Sequence, residues 1–205
     1  MLLPLDAGAH NNLGITLTEL KRPDEALQFF INALKIRPDY AEALSNQGIA
    51  LHSLSRLEEA EACHTRALML KPDFAEAHCN LAVTLKDMGR LEEAESSYYR
   101  ALEIKPDYPA ALNNLALLYK EQGKTIPALK LIKKSLQIKE TEDAKNLFVA
   151  CAKQAHCMDD DPETQAIIIR AITEPWCRPA ELTRQCIDLL MHTDEIAGSI
   201  EAARN

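Results

Sequence analysis

Glycine is scarce in this chain of 205 residues, with six, and aromatic residues make up only 5%. Alanine and leucine abound in their place, which tilts the composition towards helix. No apolar run approaches the roughly 20 residues needed to span a bilayer. The opening Met-Leu-Leu-Pro has no basic stretch before it and is too short for a secretory apolar region. Cys63, Cys79, Cys151, Cys157, Cys177 and Cys186 form no Cys-x-x-Cys and are irregularly spaced. They read as reduced thiols, mostly small buried apolar residues in a reducing compartment, so a cytoplasmic location is expected.

Basic charge is also missing. The net charge is -8, with 17 Lys/Arg against 19 Asp/Glu in residues 1–140 and 6 against 12 in residues 141–205. Neither part carries the positive footprint that a phosphate backbone demands, so neither nucleic acid nor a membrane is an expected partner. A glycine-rich phosphate loop, a nucleophile elbow, metal-ligand spacing and an acid pair in an evident cleft are all lacking. The chain itself is therefore expected to be no enzyme and to need no cofactor or metal.

What the chain has is a repeat. Pro38, Pro72 and Pro106 recur every 34 residues, defining units 7–40, 41–74, 75–108 and a weaker 109–142. The seventh and eighth positions are Leu13-Gly14, Gln47-Gly48, Leu81-Ala82 and Leu115-Ala116; the eleventh is Leu17, Leu51, Leu85 and Tyr119. The twentieth is always alanine (Ala26, Ala60, Ala94, Ala128), followed four later by Phe30, His64, Tyr98 and Ile132, then by Ala33, Ala67, Ala101 and Ser135. Small residues let two helices approach and large ones fill the space between them. Gly89 and Gly123 stand where the first helix of a pair must stop; Lys21 and Ser55 hold that place in the first two units.

This pattern resembles the tetratricopeptide repeat family over about two-thirds of the chain. The resemblance implies an all-α fold, a right-handed superhelix or solenoid of antiparallel helix pairs. The family's frequent tryptophan at position four is replaced by His10, Leu44, His78 and Leu112; the histidines read as partly buried helix contacts, with no acid, base or nucleophile suggested beside them. Unit four has Glu140 in place of the proline, and Pro127 near the start of its second helix, where a first turn tolerates it. Pro4 lies 34 residues before Pro38, so residues 1–6 read as the tail of a truncated preceding repeat and the chain as a piece of a longer protein.

Position six is asparagine in all four units: Asn12, Asn46, Asn80 and Asn114, in the frames HNNLGITL, LSNQGIAL, HCNLAVTL and LNNLALLY. The resemblance places the first helix of each pair on the concave surface. Positions two, five, six, nine, twelve and thirteen then share one stripe of it. Position nine supplies an apolar strip (Ile15, Ile49, Val83, Leu117), and position twelve supplies Thr18, His52, Lys86 and Lys120. An asparagine amide can satisfy a peptide N–H and C=O together. Helices about 8–10 Å apart and a strand rising about 3.3 Å per residue would bring one rung to about every third residue of an extended ligand. The arrangement is similar to the asparagine ladder of the O-linked N-acetylglucosamine transferases and their SPINDLY-like relatives. The alternative is that these amides bond within the fold. A carboxylate clamp fits less well, since Gly8, Asn11, Glu42 and Ser45 flank the first rungs instead of cations.

The period is lost in residues 143–205, which are expected to form a helical capping or linker segment. Residues 143–156 read as a helix, Asp161-Pro162 as the start of another through Ile172, Glu174 to Pro179 as a tight connector holding Trp176, and 179–192 as a further helix. The reading is a protein–protein interaction module that grips an extended peptide or partner segment in its groove. Two alternatives stand beside it: the substrate-recruiting part of a larger glycosyl- or methyltransferase, and a self-associating scaffold that forms a homo-oligomer.

Overall fold

A computed structural model of the chain describes residues 6–154, 162–174, 176 and 182. Among them are ten α-helices and no strand, the all-α helical-repeat architecture the pattern implies. The chain divides into two compact units, residues 1–111 and 112–205.

The first unit stacks three helical hairpins: α1 (Ala7–Glu19) with α2 (Pro23–Ile36), α3 (Ala41–Ser53) with α4 (Leu57–Leu70), and α5 (Ala75–Asp87) with α6 (Leu91–Ile104). Within it α2 also packs on α3 and α4 on α5, and α1, α3 and α5 lie side by side. Asp6 caps α1, its carboxylate accepting from the Ala9 amide at 2.6 Å. The second helices have no such cap. An arginine precedes each, paired with a first-turn glutamate three residues on: Arg22–Glu25, Arg56–Glu59 and Arg90–Glu93, at 2.6–2.7 Å. The glutamates also face the positive end of the helix dipole.

The turn inside each hairpin follows one geometry. The Arg22 amide reaches back to Leu17 O at 2.9 Å, and Arg56 and Arg90 repeat this at Leu51 and Leu85. Such a closure needs a left-handed residue just before. Gly89 supplies it at φ 78°, but Lys21 and Ser55 are forced to φ 60° and 59°. An L-residue there is strained by about 1–2 kcal/mol, partly offset by glycine's greater freedom when unfolded. Ser55→Gly is therefore expected to raise stability by about 0.5–1 kcal/mol in urea denaturation; no change would mean the turn carries no strain.

Packing explains the small residues. Ala26, Ala60 and Ala94, with Ala33, Ala67 and Ala101, are fully buried at the crossing of each pair. Phe30, His64 and Tyr98 fill the layer beside them, and two of these press on glycine. A Cβ at Gly14 would lie 2.5 Å from the Phe30 ring, and one at Gly48 2.5 Å from the His64 ring. Between hairpins, Pro38, Pro72 and Pro106 end the second helices. The cation before each proline sits over an aromatic ring of the next turn: Arg37 on Tyr40 at 4.1 Å, Lys71 on Phe74 at 4.7 Å, Lys105 on Tyr108 at 4.6 Å. Lys71 and Lys105 also bind Glu42 and Glu76, both at 3.0 Å.

The second unit takes up α7 (Pro109–Glu121) from Leu112 and continues through α8 (Thr125–Ile138), α9 (Glu142–Gln154) and α10 (Pro162–Thr173). Glycine at φ 74°, Gly123, makes the α7–α8 turn. Trp176, expected in a connector, is buried: it meets Phe148 edge-on at 6.4 Å and donates from Nε1 to Glu174 at 2.7 Å. Arg170 faces its ring and binds both Glu140 at 2.5 Å and Glu174 at 3.2 Å. The expected helix at 179–192, apart from buried Leu182, and Cys157, Cys177 and Cys186 lie outside the described residues.

Candidate functional site

The inner helices of the first unit carry three of the four asparagine rungs. Their surroundings differ from the sequence expectation in one respect. Position five does not share the open stripe: Asn11 and Ser45 are 4% and 2% exposed, and Cys79 is buried too. Two of these side chains, Asn11 and Ser45, meet the rungs. Asn46 Nδ2 donates to Asn11 Oδ1 at 3.0 Å, and Asn80 Nδ2 donates to Ser45 Oγ at 3.3 Å. Asn46 and Asn80 are thus each tied to the helix before them by one N–H. An amide has a second N–H and a carbonyl beyond that. Asn12, on the first helix of the stack, is exposed.

Ile15, Asn46 and Ile49, all expected at the site, line one cavity of about 220 Å³ between α1 and α3. Thr18, Glu19 and Phe30 complete its lining. Phe30 belongs to the repeat's packing pattern, and nothing in its spacing marks it as a groove residue. It reaches the cavity because Gly14 opposite has no side chain. The Thr18 hydroxyl donates to its own helix, at Gly14 O, 2.9 Å away.

One repeat on, the groove is polar. His52 Nε2 lies 2.9 Å from Asp87 Oδ2, bridging α3 to α5, and Lys86 Nζ approaches the other oxygen of Asp87 at 3.8 Å. Val83 stands half-buried on the same helix and does not line the α1–α3 cavity. Below, His64 is 1% exposed with Nδ1 unpartnered. Burial first, then the charge of His52, holds its pKa down to about 4.

The residue pattern these helices carry is matched end to end by the tetratricopeptide repeat profile, at residues 5–72 and 73–141. The chain belongs to the tetratricopeptide repeat family. Solved tetratricopeptide and related structures are similar to it. A thermophilic TPR protein of Thermus thermophilus is 22% identical, with 90% of this chain and 99% of that one covered and a TM-score of 0.67. MamA is 25% identical over 65% of this chain and 78% of its own, at a TM-score of 0.57. The first TPR of Spaghetti (RPAP3), solved bound to the HSP90 peptide SRMEEVD, is 22% identical over 57% of this chain and 93% of its own, at 0.54. No curated protein matches the chain.

In the second unit the tetratricopeptide pattern places Asn114, Leu117 and Lys120 half-buried on α7. Burial pushes the Cys151 thiol on α9 up to about 11, with the charge of Lys120 opposing. The buried residues of α9 (Ala144, Phe148, Val149, Cys151, Ala152) each follow by 33 residues a buried residue of α7. At that offset Leu147 stands where a rung would be, following Asn114. Asn113 Oδ1, the counterpart of the Asn11 acceptor, is buried and has no partner. The series of rungs stops at α7.

Among the described residues no helix is long and apolar enough to cross a membrane, and no cluster of three or more His, Cys, Asp or Glu side chains could hold a metal ion.

Proposed function

We propose that the chain takes an extended peptide segment of a partner protein along the inner faces of α1, α3 and α5, holding its backbone on Asn46 and Asn80. Tetratricopeptide repeats are in general non-catalytic interaction modules, and the RPAP3 domain carries its peptide on the same fold. The observation behind this reading is the tether on each rung. With one N–H committed to Asn11 or Ser45, the amide is oriented in advance, and its other N–H and carbonyl serve a peptide group without an ordering cost at binding. Main-chain hydrogen bonds then supply affinity, and neighbouring side chains supply choice.

Random 12-residue peptides displayed and selected on the protein, then measured by calorimetry, test it. Asn80→Ala is the cleaner substitution: the Ser45 hydroxyl that loses this N–H still has its own O–H to donate, whereas Asn11 Oδ1 can only accept. It is expected to weaken selected peptides about tenfold, the loss of one or two hydrogen bonds of about 0.5–1.5 kcal/mol each. Asn46→Ala should do the same and also lower the melting temperature, because it strands the buried Asn11 acceptor. Affinity unchanged in both variants would sink the proposal; a lower melting point with unchanged affinity would make the rungs structural.

A further inference from the structure

The cavity between α1 and α3 is too small for a typical small-molecule site, which runs to about 300–1,000 Å³. It suits one large side chain. Its walls are Ile15 and Ile49, and its floor is Phe30. Of its polar groups, the Thr18 hydroxyl is committed to Gly14 O and one Asn46 N–H to Asn11. Glu19 is exposed, so its carboxylate keeps its water and sets a negative charge beside the cavity. The equivalent positions one repeat on are different in kind: His64 replaces Phe30, and His52 is bonded across to Asp87.

We infer that this cavity is the anchor pocket of the groove, taking one uncharged apolar side chain of leucine, methionine or phenylalanine size from the bound segment, beside the peptide group held by Asn46. The inference rests on the proposed reading of the inner face as a peptide groove. Asn46 lines both the groove and the cavity, so a main chain seated on it delivers a neighbouring side chain into the Ile15–Phe30–Ile49 space. An acidic side chain would lose its solvation there and meet Glu19. Polar residues are accepted one repeat on, where His52, Asp87 and Lys86 face the ligand.

The test uses the displayed 12-residue peptides, with the best binder followed by fluorescence anisotropy. Selection on the wild-type chain is expected to enrich leucine, methionine or phenylalanine at one fixed position. Changing that residue to alanine should weaken binding about tenfold to a hundredfold, as burial of one large apolar side chain implies. Thr18→Phe plugs the cavity; with it, the parent peptide and its alanine form should bind alike, at the weaker level. Ile49→Ala enlarges the space and should shift selection towards phenylalanine and tryptophan, which covers the case of Thr18→Phe failing to fold. Peptides that depend on Asn46 yet show no enriched apolar position, or keep their preference when the cavity is plugged, would overturn the anchor and leave the groove standing. If no displayed peptide depends on Asn46, groove and anchor fall together.

Discussion

Protonation linked to His64 is expected to remove about 3 kcal/mol of stability from the wild-type chain between about pH 6.5 and about pH 4, and His64→Phe to abolish that share of the loss. His64 lies in the core of the second hairpin, 1% exposed, with its ring against Gly48. Burial, with the charge of His52 beside it, holds its pKa at about 4 against an ordinary 6.5. The folded state therefore refuses a proton that the unfolded chain accepts. Above pH 6.5 both states are neutral and stability is full. As the pH falls towards 4 the unfolded chain alone is protonated, and stability drops. Below 4 both are protonated and this contribution levels off. Glutamates held low by ion pairs, such as Glu42 beside Lys71, add their own loss only below their ordinary 4.5, so the upper part of the window belongs to His64. Phenylalanine suits the slot, because Phe30 fills the matching one against Gly14 at the same 2.5 Å spacing. Urea denaturation from pH 7 to 4.5 decides it: equal slopes for wild type and His64→Phe would remove the histidine from the account.

The hairpins were legible in the sequence because small and large residues recur in fixed register, and such a pattern buries only one way. Helix ends followed from Pro38, Pro72 and Pro106 and from the glycine position, even where Lys21 and Ser55 hold it under strain. The rungs were legible as residues but not as bonds. Asn11, Ser45 and Cys79 sit one residue before the rungs, and periodicity alone cannot tell an open stripe from its buried flank; the tilt of neighbouring helices decides that. The cavity was illegible for a similar reason. Phe30 belongs to the core pattern, and its second role arises only because Gly14 lets the ring stand against α1. Trp176 stands after α10, where a connector was expected, but its burial was illegible because its partners, Phe148 and Arg170, come from two different helices with no shared period.

Truncating Phe30 to alanine is expected to cost about 3 kcal/mol, the low end of the 3–5 kcal/mol usual for a buried ring. The ring is fully buried in a cluster with Ala26, Leu27, Ala50, Leu51 and Ala60. The low end applies because the space left joins the open cavity that the ring floors, so no sealed void remains. The sharper result concerns Gly14. In the wild-type chain Gly14→Ala sets a methyl group 2.5 Å from the Phe30 ring, which must shift to admit it, and a clash of this kind costs about 1–3 kcal/mol. Helix propensity returns about 1 kcal/mol of that, so the net effect is destabilising. With Phe30 already truncated the clash is gone and only the propensity gain and a little added burial remain. Gly14→Ala then stabilises by about 1 kcal/mol. A reversal of sign across this double-mutant cycle, read by urea denaturation, is a coupling that independent sites cannot produce. Additive effects would mean the glycine is there for some reason other than the ring. The third and fourth repeats already hold the alternative solution, Ala82 opposite Tyr98 and Ala116 opposite Ile132. Gly14 is therefore the choice that brings the Phe30 ring hard against the inner helix, and with it the floor of the cavity where the bound segment is proposed to anchor.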